Sequence, residues 1–407
     1  MPEQLAYLDH AATTPLRPEA RAAMLPWLGA RFGNPSGAHR VARAARQAVD
    51  EARDALAEAV GCQPGEVVFT SGGTEADNLA VRGVHAARPG PALCSAVEHD
   101  AVLGPVAAVG GGTVPVDGRG AIDLDALARA LTPHTTLVSV MAANNEVGTV
   151  QPLAQVADVV RRLAPRAAVH ADAVQAAPWL ALPPLVAGAD LVSLSSHKLG
   201  GPQGVGALVV RRGTLLHAQA LGGGQERELR SGTHNVAGIV GFAAAVRTLS
   251  TREETAARVR RLRDRLARGL VAAVPGTVVT GTTATSGPAV PDGAAETDAG
   301  AAGTADQADA GDTPRRLPGC LHLCLPGIES EALLFLLDQA GVCASAASAC
   351  ASGAQQASHV LAAMGVPAER SRGALRLSLG WTTTDADIDH ALATIPAAVA
   401  HLQAVAA

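Results

Sequence analysis

Short apolar runs typical of buried β-strands alternate with segments of helical spacing, and most of the runs end in a cluster of polar residues. Alternation of this kind predicts a parallel sheet covered by helices on both faces. Such sheets bind ligands beyond the carboxyl ends of their strands. The predicted strands lie at 66–70, 92–97, 137–141 and 167–175, and predicted helices include 38–60 and 153–163.

The polar clusters at the strand ends contain residues suited to holding a ligand. A glycine pair and a hydroxyl at 72–74 come between a strand and a helix start, where backbone N–H groups can bind a phosphate. Each cluster also has an ordinary explanation: Thr74 as a helix N-cap, Asn144 and Asn145 as turn residues, and Asp172 with Gln175 as a cap. Their convergence at one sheet edge favours a binding site.

Lys198 is the only lysine of the chain, and all other basic side chains of the Lys+Arg set are arginines. Arginine replaces lysine wherever a positive charge on a long side chain is sufficient, but its guanidinium does not lose a proton in proteins. Chemistry that needs a neutral primary amine therefore requires lysine. Imine formation with a carbonyl compound such as pyridoxal phosphate is the leading chemistry of this kind.

Composition excludes several classes of function. The net charge is -5 and there is no basic run, which argues against nucleic acid as a direct ligand. The N-terminal residues lack the pattern of a signal peptide, and no apolar stretch is long enough to span a bilayer. The 6 cysteines are scattered through a long chain, so we expect reduced thiols. From these features together we expect a cytoplasmic protein without membrane partners.

Eleven motifs carry a family resemblance. A pyridoxal phosphate site needs an amine, a phosphate cradle, a carboxylate for the pyridine nitrogen and a group against the ring, and residues of each type are present. The motifs are LDHAATTP at 8–15, FGNPS at 32–36, FTSGGTE at 69–75, EH at 98–99, NNEVG at 144–148, HADAVQ at 170–175, SSHK at 195–198, GGGQE at 222–226, RSGT at 230–233, SACAS at 348–352 and LRLS at 375–378. In these motifs the chain resembles the cysteine desulfurases, a branch of the class V aminotransferases.

The resemblance implies an α/β protein of the fold-type I class of pyridoxal phosphate-dependent transferases. It implies a large domain with a mostly parallel sheet at 15–255. A smaller α+β domain would be built from 1–14 and 256–407. A segment at about 281–313 interrupts that smaller domain. It has six acidic residues and no Leu, Ile or aromatic residue, so we predict that it is disordered.

The resemblance also assigns roles to site residues. Lys198 would form the imine with the cofactor, His99 would stack on its ring and act as an acid or base, and Asp172 would pair with the pyridine nitrogen. Asn145 and Gln175 would contact the phenolic oxygen or its surroundings, and Arg376, with Asn145, would bind the substrate carboxylate. The phosphate would be held by Gly73, Thr74, Ser195 and His197, and by Thr233 from the partner subunit of a homodimer.

Cys350 distinguishes desulfuration from transamination. In the mechanism that the resemblance implies, the Cys350 thiolate attacks the sulfur of L-cysteine, which leaves a persulfide on the enzyme and releases L-alanine. The sulfur then passes to an acceptor protein for iron–sulfur assembly or tRNA thiolation, and the sequence does not select between these acceptors. A selenocysteine lyase and a plain aminotransferase are alternative activities.

The remaining cysteines give weaker signals. Cys320, His322 and Cys324 alternate with apolar residues, which predicts a strand with these three side chains on one face. A shared face does not by itself make a metal site, so we expect no metal. Cys343 lies in a segment that we predict to be a buried strand, which argues against a resolving role for its thiol.

Overall fold

The computed structural model describes residues 5–281, 316–346 and 358–406. Its strands are β1 (Ala6–Tyr7), β2 (Val67–Thr70), β3 (Ala92–Ser95), β4 (Gly112–Val114), β5 (Leu137–Ser139), β6 (Ala168–Asp172), β7 (Leu191–Ser195), β8 (Gly206–Val210), β9 (Val278–Val279), β10 (Cys320–Cys324), β11 (Val342–Cys343) and β12 (Ala374–Ser378). Its α-helices are α1 (Pro18–Met24), α2 (Arg40–Val60), α3 (Gly73–Ala87), α4 (Asp100–Ala108), α5 (Leu124–Ala130), α6 (Leu153–Leu163), α7 (Leu182–Leu185), α8 (Val236–Arg247), α9 (Arg252–Ala273), α10 (Ser330–Gln339), α11 (His359–Ala363), α12 (Ala368–Ser371) and α13 (Asp385–Ala406). Within these described ranges, no helix combines the length and apolarity needed to cross a membrane.

The central sheet has 7 strands in the order β2-β8-β7-β6-β5-β3-β4. All pairs from β7 to β4 are parallel, and β8 runs antiparallel to both of its neighbours. The predicted mostly parallel α/β sheet is therefore confirmed. The antiparallel β8 was not predicted, because its apolar run is the same whichever direction the strand takes.

Local signals define the ends of the predicted helices. Helix α2 begins where the His39 ring accepts a hydrogen bond from the Ala42 N–H at 3.3 Å. It ends at Gly61, whose φ of 71° lies in the left-handed region that favours glycine. The helix predicted at 38–60 is thus two residues shorter at its start. Helix α6 has the predicted bounds.

Residues from both ends of the chain form a second hydrophobic cluster. An antiparallel sheet has the order β12-β10-β9, and β1 pairs in parallel with β11. Leu8 is buried there among side chains of β10, β12 and α13. This separate cluster supports the division into 15–255 on one side and 1–14 with 256–407 on the other, which stays a prediction. The predicted disordered segment at 281–313 lies outside the described residues except for Gly281.

A buried ion pair ties helix α2 to the loop after β8. The Arg53 guanidinium donates two hydrogen bonds to the Glu226 carboxylate, at 2.8 and 2.7 Å. Glu226 also accepts from the Phe69 N–H at 2.9 Å and lies 2.6 Å from the His234 Nε2 atom. Burial alone would raise the pKa of Glu226, but the hydrogen bonds from Arg53 and His234 outweigh it and lower the pKa to about 2.

We expect Glu226→Gln to lower the free energy of unfolding by roughly 3 kcal/mol at pH 7, because it leaves the buried Arg53 charge without a counter-charge. The folded pKa lies below that of an unfolded glutamate. The stabilisation by Glu226 is therefore complete above that unfolded pKa and is lost as the pH falls toward about 2. Denaturant unfolding should show that the difference in unfolding free energy between the parent and Glu226→Gln is less than half as large at pH 3 as at pH 7.

The matched control is Glu329→Gln, since Glu329 and Arg372 are both exposed and 3.9 Å apart. It should change the unfolding free energy by less than about 0.5 kcal/mol. A Glu226→Gln protein as stable as the parent at pH 7 would refute the stabilising role of the pair.

Candidate active site

Five strand ends meet at one edge of the central sheet and bring the predicted site residues together. Gly73 begins α3 directly after β2, His99 precedes α4 after β3, and Asn145 follows β5. Asp172 ends β6 and Ser195 ends β7. Because these strands run in the same direction, their carboxyl ends lie side by side.

Lys198 lies at the end of a short 3₁₀ helix, Ser196–Lys198, that follows β7. Its Nζ atom donates hydrogen bonds to the carbonyl oxygens of Ala11 at 2.6 Å and Ala12 at 2.7 Å. The Gln175 side-chain amide donates to the same Ala11 oxygen at 2.8 Å. The segment after β1 therefore lies against the lysine and the residues beyond β6.

His197 is held by the same N-terminal segment. Its Nδ1 atom lies 3.1 Å from the Thr13 hydroxyl, and its carbonyl oxygen accepts a hydrogen bond from the Thr14 hydroxyl at 2.7 Å. Burial and the neighbouring Lys198 charge lower the pKa of His197 to about 4. The ring is therefore neutral at pH 7, which leaves one nitrogen able to donate a hydrogen bond.

The start of helix α3 forms a narrow cradle. A Cβ atom at Gly73 would lie 3.0 Å from the Val174 Cγ2 atom and 3.5 Å from the Ser195 Cβ atom, so a side chain there would fill the space. Gly72 is the N-cap residue of α3, so no side chain caps the first N–H groups of this helix. The exposed Thr74 lies in the first turn. The first N–H groups of a helix need partners from outside it, which suits an anion.

Asp172 is 6% exposed, and its Oδ1 atom accepts a hydrogen bond from the Val174 N–H at 2.9 Å. Burial raises its pKa, while that hydrogen bond, the neighbouring His99 ring and the Lys198 charge act in the opposite direction. The His99 Nδ1 atom accepts the Ala101 N–H at 3.1 Å, so the ring N–H is at Nε2. The carboxylate and the imidazole thus belong to one electrostatic environment.

Arg376 is a buried cation in β12 that reaches the same region. Its Nη2 atom donates to Asp9 Oδ1 at 2.8 Å, and its Nη1 atom donates to the Asn145 carbonyl oxygen at 3.2 Å. Its buried Nε atom has no hydrogen-bond partner among the described residues. A guanidinium with a spare N–H is suited to binding a carboxylate.

A cleft of about 40 Å³ opens beside Lys198. Asn145 and Gln175 line it together with His10 and Trp381. The cleft does not reach Gly73 or Asp172. It therefore adjoins the lysine without containing the phosphate cradle.

One predicted site residue in the described part of the chain is not brought to this group: Thr233 is exposed, in the loop between β8 and α8. Cys350 lies outside the described residues. The residues next to the undescribed segment at 347–357 do contact the site: the Ser345 N–H donates to the Arg376 carbonyl oxygen at 3.2 Å, and the Ser358 hydroxyl donates to a Glu146 carboxylate oxygen at 2.5 Å.

The cysteines of the described residues do not form a metal site. Cys320 and Cys324 share one face of β10 with His322, whose Nδ1 atom lies 2.7 Å from the Thr280 hydroxyl. No group of three or more potential ligands is arranged around a metal position in the described part of the chain. The strand predicted around Cys343 is present as β11, with Val342 buried and Cys343 half-buried.

Comparison with known proteins identifies the family. The sequence model of the class-V aminotransferases matches residues 6–290. An IscS-like cysteine desulfurase of Mycobacterium tuberculosis (strain ATCC 25618 / H37Rv) is 42% identical over 417 residues, which cover 99% of this chain and 98% of that protein. The chain belongs to the cysteine desulfurase family of class-V aminotransferases.

Solved structures agree with this assignment of family and fold. A NifS-like protein superposes with a TM-score of 0.84 at 31% identity, covering 98% of this desulfurase-family chain and 100% of the other. A structure described as SspA in complex with cysteine superposes with a TM-score of 0.73 at 28% identity, covering 92% and 98% of the two chains. The predicted fold-type I class is confirmed.

The site residues fit pyridoxal phosphate, the cofactor on which the family generally depends. The Gly73 cradle at a helix start suits the phosphate, the buried Asp172 carboxylate suits a protonated ring nitrogen, and Lys198 offers the amine. Sequence reasoning missed Asp9, which holds Arg376. The signal was present in the motif at 8–15, which places Asp9 one residue before His10 in a conspicuous polar cluster.

Proposed function

We propose that this chain is a pyridoxal phosphate-dependent cysteine desulfurase that converts L-cysteine to L-alanine and passes the sulfur to an acceptor. The observation that carries the proposal is the position of the only lysine, at the sheet edge that also holds the Gly73 cradle and the buried Asp172. The cysteine desulfurases that match nearly the whole chain support the same activity.

The cofactor, when bound, supplies an aldehyde for amines and a ring that takes up negative charge from the substrate carbon. Asp172 would keep the ring nitrogen protonated, because a buried carboxylate is stabilised by a cation beside it. His99 would lie against the ring with its Nε2–H available for proton transfer. Hydrogen bonds would come from Asn145 and Gln175 to the phenolic oxygen or its surroundings, and from Gly73, Thr74, Ser195, His197 and Thr233 to the phosphate.

The proposed role of Thr233 requires a homodimer in which this residue reaches the partner subunit's site. Its exposure in the loop between β8 and α8 is consistent with that role. Sedimentation of the purified protein should give twice the mass of one chain.

Arg376 is the proposed binding group for the substrate carboxylate. The guanidinium is buried and oriented by Asp9 and the Asn145 carbonyl oxygen, so little conformational freedom is lost when substrate binds. Its buried Nε–H has no hydrogen-bond partner among the described residues. Asn145 would add its side-chain amide from the same loop.

We expect Asp9→Asn to raise the KM for L-cysteine by roughly tenfold and to change kcat by less than about threefold. The substitution removes a charge-assisted hydrogen bond of 2.8 Å, typically worth about 1.5–3 kcal/mol, that fixes the guanidinium. Steady-state kinetics with saturating cofactor would measure both constants. Asp389→Asn, which removes an exposed partner of Arg265, is the control and should leave both constants unchanged. An unchanged KM in Asp9→Asn would rule out this positioning role.

Cys350 is the proposed sulfur acceptor within the enzyme. Its thiolate would attack the sulfur of the bound cysteine, the carbon–sulfur bond would break, and its electron pair would return to carbon, which is then protonated to give alanine. The sulfur remains as a persulfide on Cys350 until a second acceptor takes it. An iron–sulfur scaffold or a tRNA thiolation enzyme in the cytoplasm would be such an acceptor.

The decisive experiment is turnover of L-cysteine by the purified protein with pyridoxal phosphate and a thiol reductant. Sulfide and alanine should appear in equal amounts, and both should be absent without cofactor. Amino transfer to a 2-oxo acid without sulfide would instead support a plain aminotransferase. Competition between L-cysteine and L-selenocysteine tests the remaining alternative, because a selenocysteine lyase would use the selenium compound and reject the sulfur compound.

A further inference from the structure

One face of the central sheet carries acidic and polar side chains where a core is expected. Asp77 on α3, Glu98 before α4 and Asp172 at the end of β6 are 1%, 1% and 6% exposed. His170, two residues before Asp172, lies on the same face of β6 and is fully buried. Three buried carboxyl groups in one region need an electrostatic explanation, because an ionised carboxylate is costly to bury.

A hydrogen-bonded chain in the interior of the sheet ends beside Asp77. The His170 Nδ1 atom lies 2.7 Å from the Ser139 hydroxyl on β5, and its Nε2 atom lies 2.9 Å from the Ser193 hydroxyl on β7. The Ser193 hydroxyl lies near the Asp77 carboxyl group and lowers its pKa, against the effect of burial. With the His170 proton on Nε2, Ser139 donates to Nδ1 and Nε2 donates to Ser193, which leaves the Ser193 hydroxyl proton for Asp77.

Each of two carboxyl groups has one buried oxygen that lacks a hydrogen-bond partner among the described residues. The Asp77 Oδ1 atom is 3.6 Å from His170 Nε2, beyond hydrogen-bond distance. Glu98 accepts hydrogen bonds at Oε1 from the Ser95 hydroxyl and the Met141 N–H, but not at Oε2. An oxygen without a donor is much less costly to bury in a neutral carboxyl group than in an ionised one.

The charged groups that face this cluster do not compensate for three negative charges. Lys198 provides positive charge near Asp172, the His99 ring also lies beside Asp172, and Cys94 on β3 faces Glu98. Burial lowers the pKa of His170 to about 3, so it is neutral at pH 7. Mutual repulsion therefore favours a state in which one carboxyl group is ionised, and the positive charge of Lys198 selects Asp172, which lies beside it.

We propose that Asp77 and Glu98 each retain a proton and that Asp172 carries the single negative charge of this buried three-carboxyl cluster. The inference rests on the proposed role of Asp172 at the ring nitrogen and assigns Asp77 and Glu98 a positioning role through it. If either were ionised, repulsion would make Asp172 take up a proton. The ring nitrogen would then lose its counter-charge.

Difference infrared spectroscopy of the cofactor-loaded enzyme tests the proposal directly, because protonated carboxyl groups have a C=O band separate from that of carboxylates. At pH 7 we expect one such band to disappear in Asp77→Asn and another in Glu98→Gln. Burial raises the pKa of Glu98 to about 8, so its band in the unsubstituted enzyme should disappear on titration through that pH. Absence of protonated-carboxyl bands at pH 7 in the unsubstituted enzyme would overturn the proposal, even if both variants failed to fold.

Cofactor affinity gives a second readout with a matched pair of variants. Asp77→Asn resembles the protonated acid and should change the dissociation constant of pyridoxal phosphate by less than about threefold, whereas Asp172→Asn should weaken it at least about tenfold. Equal losses in both variants would mean that Asp77 is also ionised. The infrared bands do not depend on the reaction catalysed, so a failure of the desulfurase assignment and a failure of this inference are distinguishable.

Discussion

Lys198→Arg is expected to abolish the turnover of L-cysteine, lowering kcat by roughly 10³-fold or more. Arginine keeps the positive charge and can still donate to the carbonyl oxygens of Ala11 and Ala12, which the lysine contacts at 2.6 and 2.7 Å. It cannot supply a neutral amine, because the guanidinium stays protonated. Turnover and the cofactor's visible absorbance are the two measurements.

A second variant separates the loss of the amine from a damaged fold. Lys198→Ala should be equally inactive, but an added small primary amine such as methylamine should restore part of its turnover, since the space of the side chain is vacated. The same amine should not rescue Lys198→Arg, where the guanidinium still occupies that space. An arginine variant that turned over cysteine at the unsubstituted rate would remove Lys198 from the mechanism.

The sequence was sufficient to predict the sheet edge at which the site lies, because the relevant signals are local. An apolar run followed by glycine, histidine, asparagine or aspartate indicates a strand end wherever it occurs. The parallel order of β3, β5, β6 and β7 then follows from the intervening helices. Gly73, His99, Asn145 and Asp172 reach one edge for this reason.

Contacts between distant parts of the chain could not be predicted in the same way. Asp9 and Arg376 are 367 positions apart, and their contact depends on the pairing of the N-terminal segment with β12. Asp77 lies near the start of α3, close to other polar residues. At such a position an aspartate is typical of a solvated helix face, or of a negative charge that the helix dipole stabilises. Only the packing of α3 against the sheet shows that this carboxyl group is buried.

Family resemblance contributed what neither local pattern nor packing supplies. The exposed Thr233 has no feature in the sequence or in the single chain that would mark it as a phosphate ligand. Its predicted role needs a second subunit. Cys350 is likewise identified by its motif, and it remains a prediction because it lies outside the described residues.

Cys350→Ser is expected to lower alanine and sulfide formation together by at least roughly 10²-fold, because a serine hydroxyl is a far weaker nucleophile toward sulfur than a thiolate. The variant should keep the cofactor absorbance and its response to added L-cysteine, since substrate binding does not require the thiol. Rapid mixing with L-cysteine would follow the absorbance change, and mass spectrometry would follow a mass increase of one sulfur atom on the protein.

Cys343→Ser and Cys62→Ser are the matched controls, since both thiols are half-buried. Burial raises the pKa of each thiol, which leaves less thiolate for attack on sulfur. Both variants should retain turnover and still gain the sulfur atom.

Continued alanine production by Cys350→Ser would show that sulfur leaves the substrate without this thiol. Loss of sulfur uptake only in Cys343→Ser would instead transfer the nucleophilic role to β11. A persulfide that forms only when Cys350 is present would establish that the sulfur passes through this thiol, as expected for a desulfurase rather than an aminotransferase.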